Sequence, residues 1–429
     1  MIGIVMFFAA LVLLLLGYPV AFTFGGVALL FGVFAEGPEL FAFMPFRIYS
    51  IMENTVLMAI PLFIFMGIVL QKTKLAEMLL ESMGILFGGV RGGLAISTIL
   101  VGALLAASTG VVGASVVAMG LISLPVMLKY NYDKRLACGT ICGAGTLGQI
   151  IPPSIILIIL GDVMGIPVGD LFKAAVAPGL VLIGVYVAYI LIKSFLQPEV
   201  APALPMDEDI DTKREQYLRA LKAVFPPLIL ILVVLGSIFA GIATPTESSA
   251  LGGIGALVLA LIYREFNWKM VYESAMETVK VTSMVFAILL GATAFSMAFT
   301  YTGGDAIVEE VLLGLPGEQM GFLILSMLVI LVLGFFIDFV EISFIIVPIL
   351  APVADAMGIA PIWFAILIAM NLQTSFLTPP FGFSLFYLKG VSPPSIRTMD
   401  IYRGVVPFIL LQIMIVATIL LFPGLYGLN

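Results

Sequence analysis

The stretch at 143–154, GAGTLGQIIPPS, sets a threonine and a glutamine among three glycines and a proline pair. Glycine removes side-chain restraint, while Pro152 and Pro153 remove two backbone donors and steer Ile151 away from helical geometry. The stretch lies inside an apolar segment at about 136–161, long enough to cross a hydrocarbon layer of roughly 30 Å. Backbone that leaves the helix at that depth is tolerated only where protein encloses it or where it lines a cavity. Its freed carbonyls and hydroxyls suit a hard cation such as sodium, and the helix N-termini beside it suit an anion. A second stretch of the same kind, MNLQTSFLTPPFG at 370–382, carries Pro379-Pro380, 227 residues after Pro152-Pro153.

Two more interruptions fall in apolar segments too long for one span. AASTGVVGAS stands in the middle of 94–128 and GFFIDFVEIS in the middle of 322–352. Each is read as the polar tip of a re-entrant hairpin. The candidate ion- and substrate-binding residues are therefore Ser108, Thr109, Gly110, Gly113 and Ser115 at the first tip, with Gly145, Thr146, Gln149 and Pro152 at the first break. The second tip adds Asp338 and Ser343, and the second break adds Asn371, Gln373, Thr374, Ser375 and Thr378. Small and hydroxylated residues in membrane helices more often serve packing; what singles these out is their clustering at four matched interruptions. A carboxylate near the bilayer centre costs about 2.5–3.5 kcal/mol even on a lenient scale, and the second hairpin holds no lysine or arginine. Asp338 is accordingly assigned to cation binding or gating, and Glu341 is expected to reach water. Glu247, in ATPTESS, is read as a helix cap.

The elements that must carry these residues follow from the bulk of the chain. Its 429 residues are 62% hydrophobic and 10% charged, with no histidine and a mean hydropathy of +1.22. That composition belongs to an all-α polytopic membrane protein. The first apolar run lacks a basic region before it and a small-residue cleavage site after it, so the first helix is expected to be retained. Cys138 and Cys142, four apart in an apolar segment, are read as packing residues rather than a zinc site or disulfide.

Further markers recur at the same shift. Gly25-Gly26-Val27 matches Gly252-Gly253-Ile254, and Pro125 matches Pro352. The chain is read as an internal duplication. One repeat spans 1–196, with its hairpin at about 86–128 and its broken helix at about 136–161. A polar linker follows at 197–222, and the second repeat spans 223–429, with its hairpin at about 320–354 and its broken helix at about 362–388. Five crossings plus one hairpin per repeat make the copies inverted in topology, the plan of many secondary transporters. With the N-terminus outside, only Arg47 and Lys173 of the 19 basic residues fall on the outer face, as the positive-inside rule asks. Segments before each hairpin, KTKLAEMLLESM from Lys72 and DAIVEEVLLGL from Asp305, read either as surface helices bracing the hairpins or as ordinary loop helices.

Together, IPLFIFMG at Ile60, GAGTLGQIIPPS, the PTE at Pro245, the FFIDF hairpin and the TPPFG at Thr378 resemble the large membrane subunit of tripartite ATP-independent periplasmic (TRAP) transporters over essentially the whole chain. The resemblance implies a small four-helix membrane subunit and a periplasmic substrate-binding protein as partners. It also implies import of a carboxylate solute driven by sodium ions, with no other cofactor, in the bacterial inner membrane. Sodium is assigned to Ser108, Gly145, Thr146, Asp338, Thr374 and Ser375. Many family members carry threonine after the hairpin aspartate, whereas here Phe339 follows Asp338 and Glu341 comes soon after. The expectation is an elevator-type transporter, multi-pass in the lipid bilayer with both termini periplasmic, without nucleic-acid partners. The rivals are a stand-alone divalent-anion/sodium symporter and an integral membrane enzyme; the latter lacks an acid pair or metal cluster facing water.

Overall fold

The computed structural model describes residues 1–73, 75–109, 112–204 and 210–428, and these fold as helices and short connections. The first half contains α1 (Ile2–Leu15), α2 (Val20–Glu36), α3 (Met44–Glu53), α4 (Ala59–Lys72), α5 (Leu75–Phe87), α6 (Gly93–Thr109), α7 (Val112–Lys129), α8 (Lys134–Thr146), α9 (Ile155–Met164) and α10 (Val168–Leu196). The second contains α11 (Ile210–Phe239), α12 (Pro245–Ile262), α13 (Trp268–Tyr301), α14 (Gly304–Leu313), α15 (Glu318–Leu333), α16 (Phe339–Glu341), α17 (Val347–Ala356), α18 (Pro361–Leu377), α19 (Phe383–Val391) and α20 (Thr398–Leu421). Helix boundaries recur at the spacing of the proline pairs. Val112 and Phe339, Lys129 and Ala356, Lys134 and Pro361, and Met164 and Val391 all stand 227 apart.

By length and composition, six helices among the described residues suffice to cross a membrane. Hairpins and breaks divide the rest into shorter apolar pieces, such as the ten-residue α9. The segments before α6 and α15 fold as the helices α5 and α14, and α5 packs on α11 and α6 with Leu79 and Leu80 buried.

Two groups of helices are visible in the packing. In one, α2 lies along α13, and α12 lies along α4. The first contact needs a glycine, because a Cβ on Gly291 would meet the Ala21 carbonyl oxygen at 2.5 Å, as is usual for close membrane helices. Phe24 and Phe295 seal the same seam edge to face, their centroids 4.8 Å apart. In the other group, α8 packs on α6, α7 and α20, and α18 packs on α15, α20 and α10. Tyr186 and Phe408 cross there at 4.9 Å.

The halves differ in two places that the residue pattern did not announce. Where α13 runs unbroken for 34 residues, the first half is split between α3 and α4 at Asn54. Its side-chain oxygen accepts from the Val56 and Leu57 backbone N–H groups at 2.9 and 3.3 Å, taking donors that a continuous helix would use. The stretch at 197–222, read as a solvated connector, is also more structured. The Gly92 N–H donates to the Ala201 carbonyl, the Asp133 N–H to Val200, and the Leu204 N–H to Gly88, at 2.8–3.0 Å. Beyond residues 205–209, which lie outside the described residues, α11 starts at Ile210 and so takes in the charged run.

Candidate functional site

Each break is made by the residues its sequence supplies. Asp133 caps α8, accepting from the Arg135 and Leu136 N–H groups at 3.0 Å. α8 tightens through Leu147–Gln149 into a short 3-10 turn, and the cis Pro152–Pro153 bond follows. Ser154 restarts the helix: its hydroxyl donates to the Gln149 carbonyl at 2.6 Å and accepts from the Leu157 N–H at 3.5 Å. In the second break α18 ends at Leu377, the cis Pro379–Pro380 bond follows, and α19 begins after Gly382 at φ +41°. There the Ser384 hydroxyl donates back to the Phe376 carbonyl at 2.8 Å. Ser154 and Ser384 do the same work, returning a hydroxyl to the carbonyl left open by the lost helical turn. Ser384 was not among the sequence candidates; only its place just after TPPFG marks it.

The hairpins lie directly on these breaks. A Cβ on Gly145 would stand 2.3 Å from the Val116 side chain and 3.1 Å from its backbone, and one on Gly102 would stand 2.6 Å from Ala144. Both arms of the first hairpin therefore touch α8 where only small residues fit. In the second half, a Cβ on Gly334 would fall 2.2 Å from the Ser375 hydroxyl. Contacts also cross between halves. Gly113 of α7 faces the Tyr387 ring of α19, and α16 with the turn at Ile342–Ile346 packs on α9.

The hydroxyls around the breaks bond carbonyls of their own helices. Thr146 donates its hydroxyl hydrogen to the Gly143 carbonyl at 3.0 Å. Thr374 donates to Met370 at 3.0 Å, Ser375 to Leu372 at 2.7 Å and Thr378 to Thr374 at 2.8 Å. With the hydrogens committed, each oxygen keeps its lone pairs. Gln149 and Gln373 are buried with both amide atoms unpartnered among the described residues. Such groups cost about 1–3 kcal/mol each if left unmet; Gln412 of α20 is buried with both amide atoms unpartnered among the described residues as well. Asn371 is different: its amide donates to the Met327 carbonyl at 2.6 Å, tying α18 to α15. These residues fit a bound sodium ion, whose usual ligands are carbonyl and hydroxyl oxygens.

The second tip corrects one expectation. Glu341, expected to reach water, is 6% exposed with Oε2 unpartnered among the described residues. Asp338 is partly exposed. Asp338 caps α16, its carboxylate accepting from the Phe339 N–H at 2.6 Å, and stays at the rim. Glu341, nearly one turn on, is carried inward where α16 packs on α9 and α13. Ser343 follows in a π-turn at Ile342–Ile346, buried and without a partner among the described residues. The turn has a local cause: Pro348 offers no N–H to the Phe344 carbonyl, so the ladder shifts register.

Pro152 is buried within the first break and Ser115 is buried on α7. Ser108 and Thr109 close α6, while Gly110 lies outside the described residues. Polar links join the two helix groups: the Asn54 amide donates to Asp162 of α9 at 2.5 Å, and the Gln71 amide of α4 donates to the Ala114 carbonyl of α7 at 3.1 Å. Beside Asn54, Thr246 donates to the Thr55 carbonyl at 2.7 Å. Glu247 behaves as read, closing a capping box with Thr244.

Residues 7–425 match the family described as "Tripartite ATP-independent periplasmic transporter, DctM component". The C4-dicarboxylate TRAP transporter large permease protein DctM of Rhodobacter capsulatus is 28% identical over the full length of both chains. That of Vibrio cholerae is 29% identical, over 94% of this chain and 92% of its own. The ectoine/5-hydroxyectoine large permease UehC of Ruegeria pomeroyi is 30% identical over 97% and 96%. Among solved structures, the Alcanivorax borkumensis YdaH transporter shares the fold with a TM-score of 0.62 at 14% identity, covering 92% of this chain and 90% of its own. A match spanning almost every helix, with apolar helices throughout, makes this chain a multi-pass membrane protein and a transporter permease rather than an enzyme. It belongs to the TRAP transporter family, as its large permease component.

Proposed function

We propose that the protein is the membrane translocator of a sodium-coupled importer. It works with a small membrane subunit and receives a small carboxylate solute from a periplasmic binding protein. The observation that carries this reading is the pair of breaks, each pressed by a hairpin arm at a glycine and each holding hydroxyls and an orphaned glutamine amide without a basic partner. Sodium bound at Thr146, Gln149 and the neighbouring carbonyls, and again around Gln373, Thr374 and Ser375, would satisfy them. Asp338 at the hairpin rim would then balance charge or gate the site.

The recurrence of helix boundaries at one spacing supports two inverted repeats of five crossings and one hairpin each, with both termini periplasmic and the membrane that of a bacterial cell interior. The hairpins, broken helices, α10 and α20 form a transport body that slides against α1, α2, α4 and α11–α13, in the manner of an elevator. Large permeases with C4-dicarboxylate, ectoine and sialic acid in their names are comparably similar to this chain. That spread suits a translocator whose solute is chosen largely by its binding protein.

The test is uptake into proteoliposomes containing this chain and its small subunit, with loaded binding protein outside. Uptake should require an inward sodium gradient. Uptake unchanged when potassium replaces sodium would refute the coupling, and uptake without binding protein would favour a stand-alone symporter.

A further inference from the structure

We propose that Arg47, Ser50 and Tyr301 form a site for the phosphate of one membrane phospholipid, where α3 meets the last turn of α13. The pocket there is about 360 Å³ and is lined by Phe43, Phe46, Arg47, Ser50, Met297 and Tyr301. Its size falls within the roughly 300–1,000 Å³ of ordinary small-molecule sites.

The depth of the pocket follows from α13. The first turns of that helix carry Lys269, Glu273, Glu277 and Lys280, and Lys72 of α4 pairs with Glu273 and Glu277 at 3.5 and 3.4 Å. The remainder, 281–301, holds no charged residue. At 1.5 Å per residue it runs about 30 Å, the thickness of the hydrocarbon layer. With Lys280 at one boundary, Tyr301 stands at the other, at the level of the headgroups, where tyrosine concentrates in membrane proteins.

α3 is built for the same level. None of its residues is buried. Phe46, Tyr49 and Met52, three apart, make an exposed apolar and aromatic stripe, and Arg47 and Ser50, also three apart, make a polar one beside it. Two such stripes on one helix are the pattern of a segment lying in the plane of the interface.

The lining selects the occupant. Arg47 makes no ion pair among the described residues, and no acid lines the pocket. A guanidinium presents a planar fork of donors that matches two phosphate oxygens, and the Ser50 and Tyr301 hydroxyls supply further donors. A soluble anion would use these donors but leave the exposed rings of Phe43 and Phe46 in water. A phospholipid uses the same donors and lays its glycerol and first methylenes against the rings. The site also has a place in the proposed elevator. α3 ends at Glu53, next to Asn54, whose amide bonds Asp162 of α9, so a lipid held on α3 fixes the depth of one end of that link. That task rests on the elevator reading; the binding does not.

Binding is tested in a phosphate-free background. The complex of this chain with its small subunit, in maltoside micelles, would be given a phosphatidylglycerol carrying a photoreactive diazirine in its headgroup, and the labelled peptides mapped by mass spectrometry. Labelling of α3 and 297–301 should exceed that around Lys173, an exposed lysine of α10, about tenfold, the preference that ~1.4 kcal/mol of affinity gives. Unlabelled phosphatidylglycerol should displace it, and diacylglycerol, which has the chains without the phosphate, should not. Arg47→Gln should remove the excess and Tyr301→Phe should lower it about fivefold, the worth of one hydrogen bond, while labelling around Lys173 stays unchanged and reports correct folding. Equal labelling at the pocket and at Lys173 would overturn the proposal, as would an excess that survives Arg47→Gln. Displacement by diacylglycerol as effective as by phosphatidylglycerol would show a site for chains alone, and equal displacement by glycerophosphate would show a soluble anion. Labelling of α3 that appears only when the small subunit is left out would assign the pocket to that subunit. Each of these also overturns the proposal.

Discussion

The two breaks are built from the same motif and end in different surroundings. In the first, residues 147–150 and both prolines are buried and only Ile151 is partly exposed. In the second, Thr378 and Pro379 are partly exposed, Pro380 is exposed, and the Phe381 ring is 46% exposed. Equivalent sequence has thus given one sealed break and one that opens to the surface. Neighbours explain the difference. The first break is backed by α6, α7, α10 and α18, whereas beyond Leu377 the chain of the second turns outward to Phe381, whose ring is tilted 56° against Phe336 at 5.4 Å. The lesson is that a motif specifies the break, while the packing around it decides access.

The comparison can be broken most forcefully at the sealed side. Gly145→Val sets a branched side chain against Val116, where even a Cβ is too close. Overpacking of this kind costs about 1–3 kcal/mol, and displacing the site by an ångström should lower uptake about 100-fold in protein that still inserts. Phe381→Ala, at the open break, should change uptake by no more than about twofold, as surface substitutions do. Similar losses in both would contradict the contrast.

Next come the orphaned amides. Gln149→Leu and Gln373→Leu remove groups that have no partner among the described residues, so unfolding temperature without sodium should stay level or rise. Sodium-dependent uptake should fall by about 10–100-fold, the worth of ~1–3 kcal/mol of lost ligation. A drop in sodium-free stability instead would assign the amides to structure. Smaller again is the Asn54–Asp162 link. Asn54→Ala leaves the Asp162 carboxylate without its amide donor and should destabilise by about 1–3 kcal/mol in denaturant titrations. A double-mutant cycle with Asp162→Asn should return a coupling of roughly 0.5–3 kcal/mol, and zero would make the link incidental. Smallest is Thr244→Ala, which removes the cap at Glu247 for about 1 kcal/mol without altering sodium dependence.

Much of this arrangement is legible in the residues because proline and glycine act locally. Pro152-Pro153 and Pro379-Pro380 end helices wherever they are placed, and the apolar helices follow from apolar length. What stays hidden depends on direction around a helix or on partners far along the chain. Asp338 and Glu341 are alike as letters, yet fewer than four residues of rotation turn one to the rim and the other inward. Asn54 carries no motif; its meaning comes from Asp162, more than a hundred residues later. The charged run before Lys222 reads as solvated because of its polarity, but its glutamates, lysines and arginines are also good helix formers, and α11 extends through it.

The central claim is that the hydroxyls at both breaks hold sodium. Its most direct test is the unfolding temperature of the purified protein titrated with sodium chloride against potassium chloride, since a ligand of the folded state alone stabilises it by mass action. Sodium should raise the temperature saturably where potassium does not. Thr146→Val and Thr374→Val, which keep the shape and remove the oxygen, should each weaken the response, and the double variant should abolish it. An equal rise with either salt, or a full sodium response in the double variant, would contradict the account.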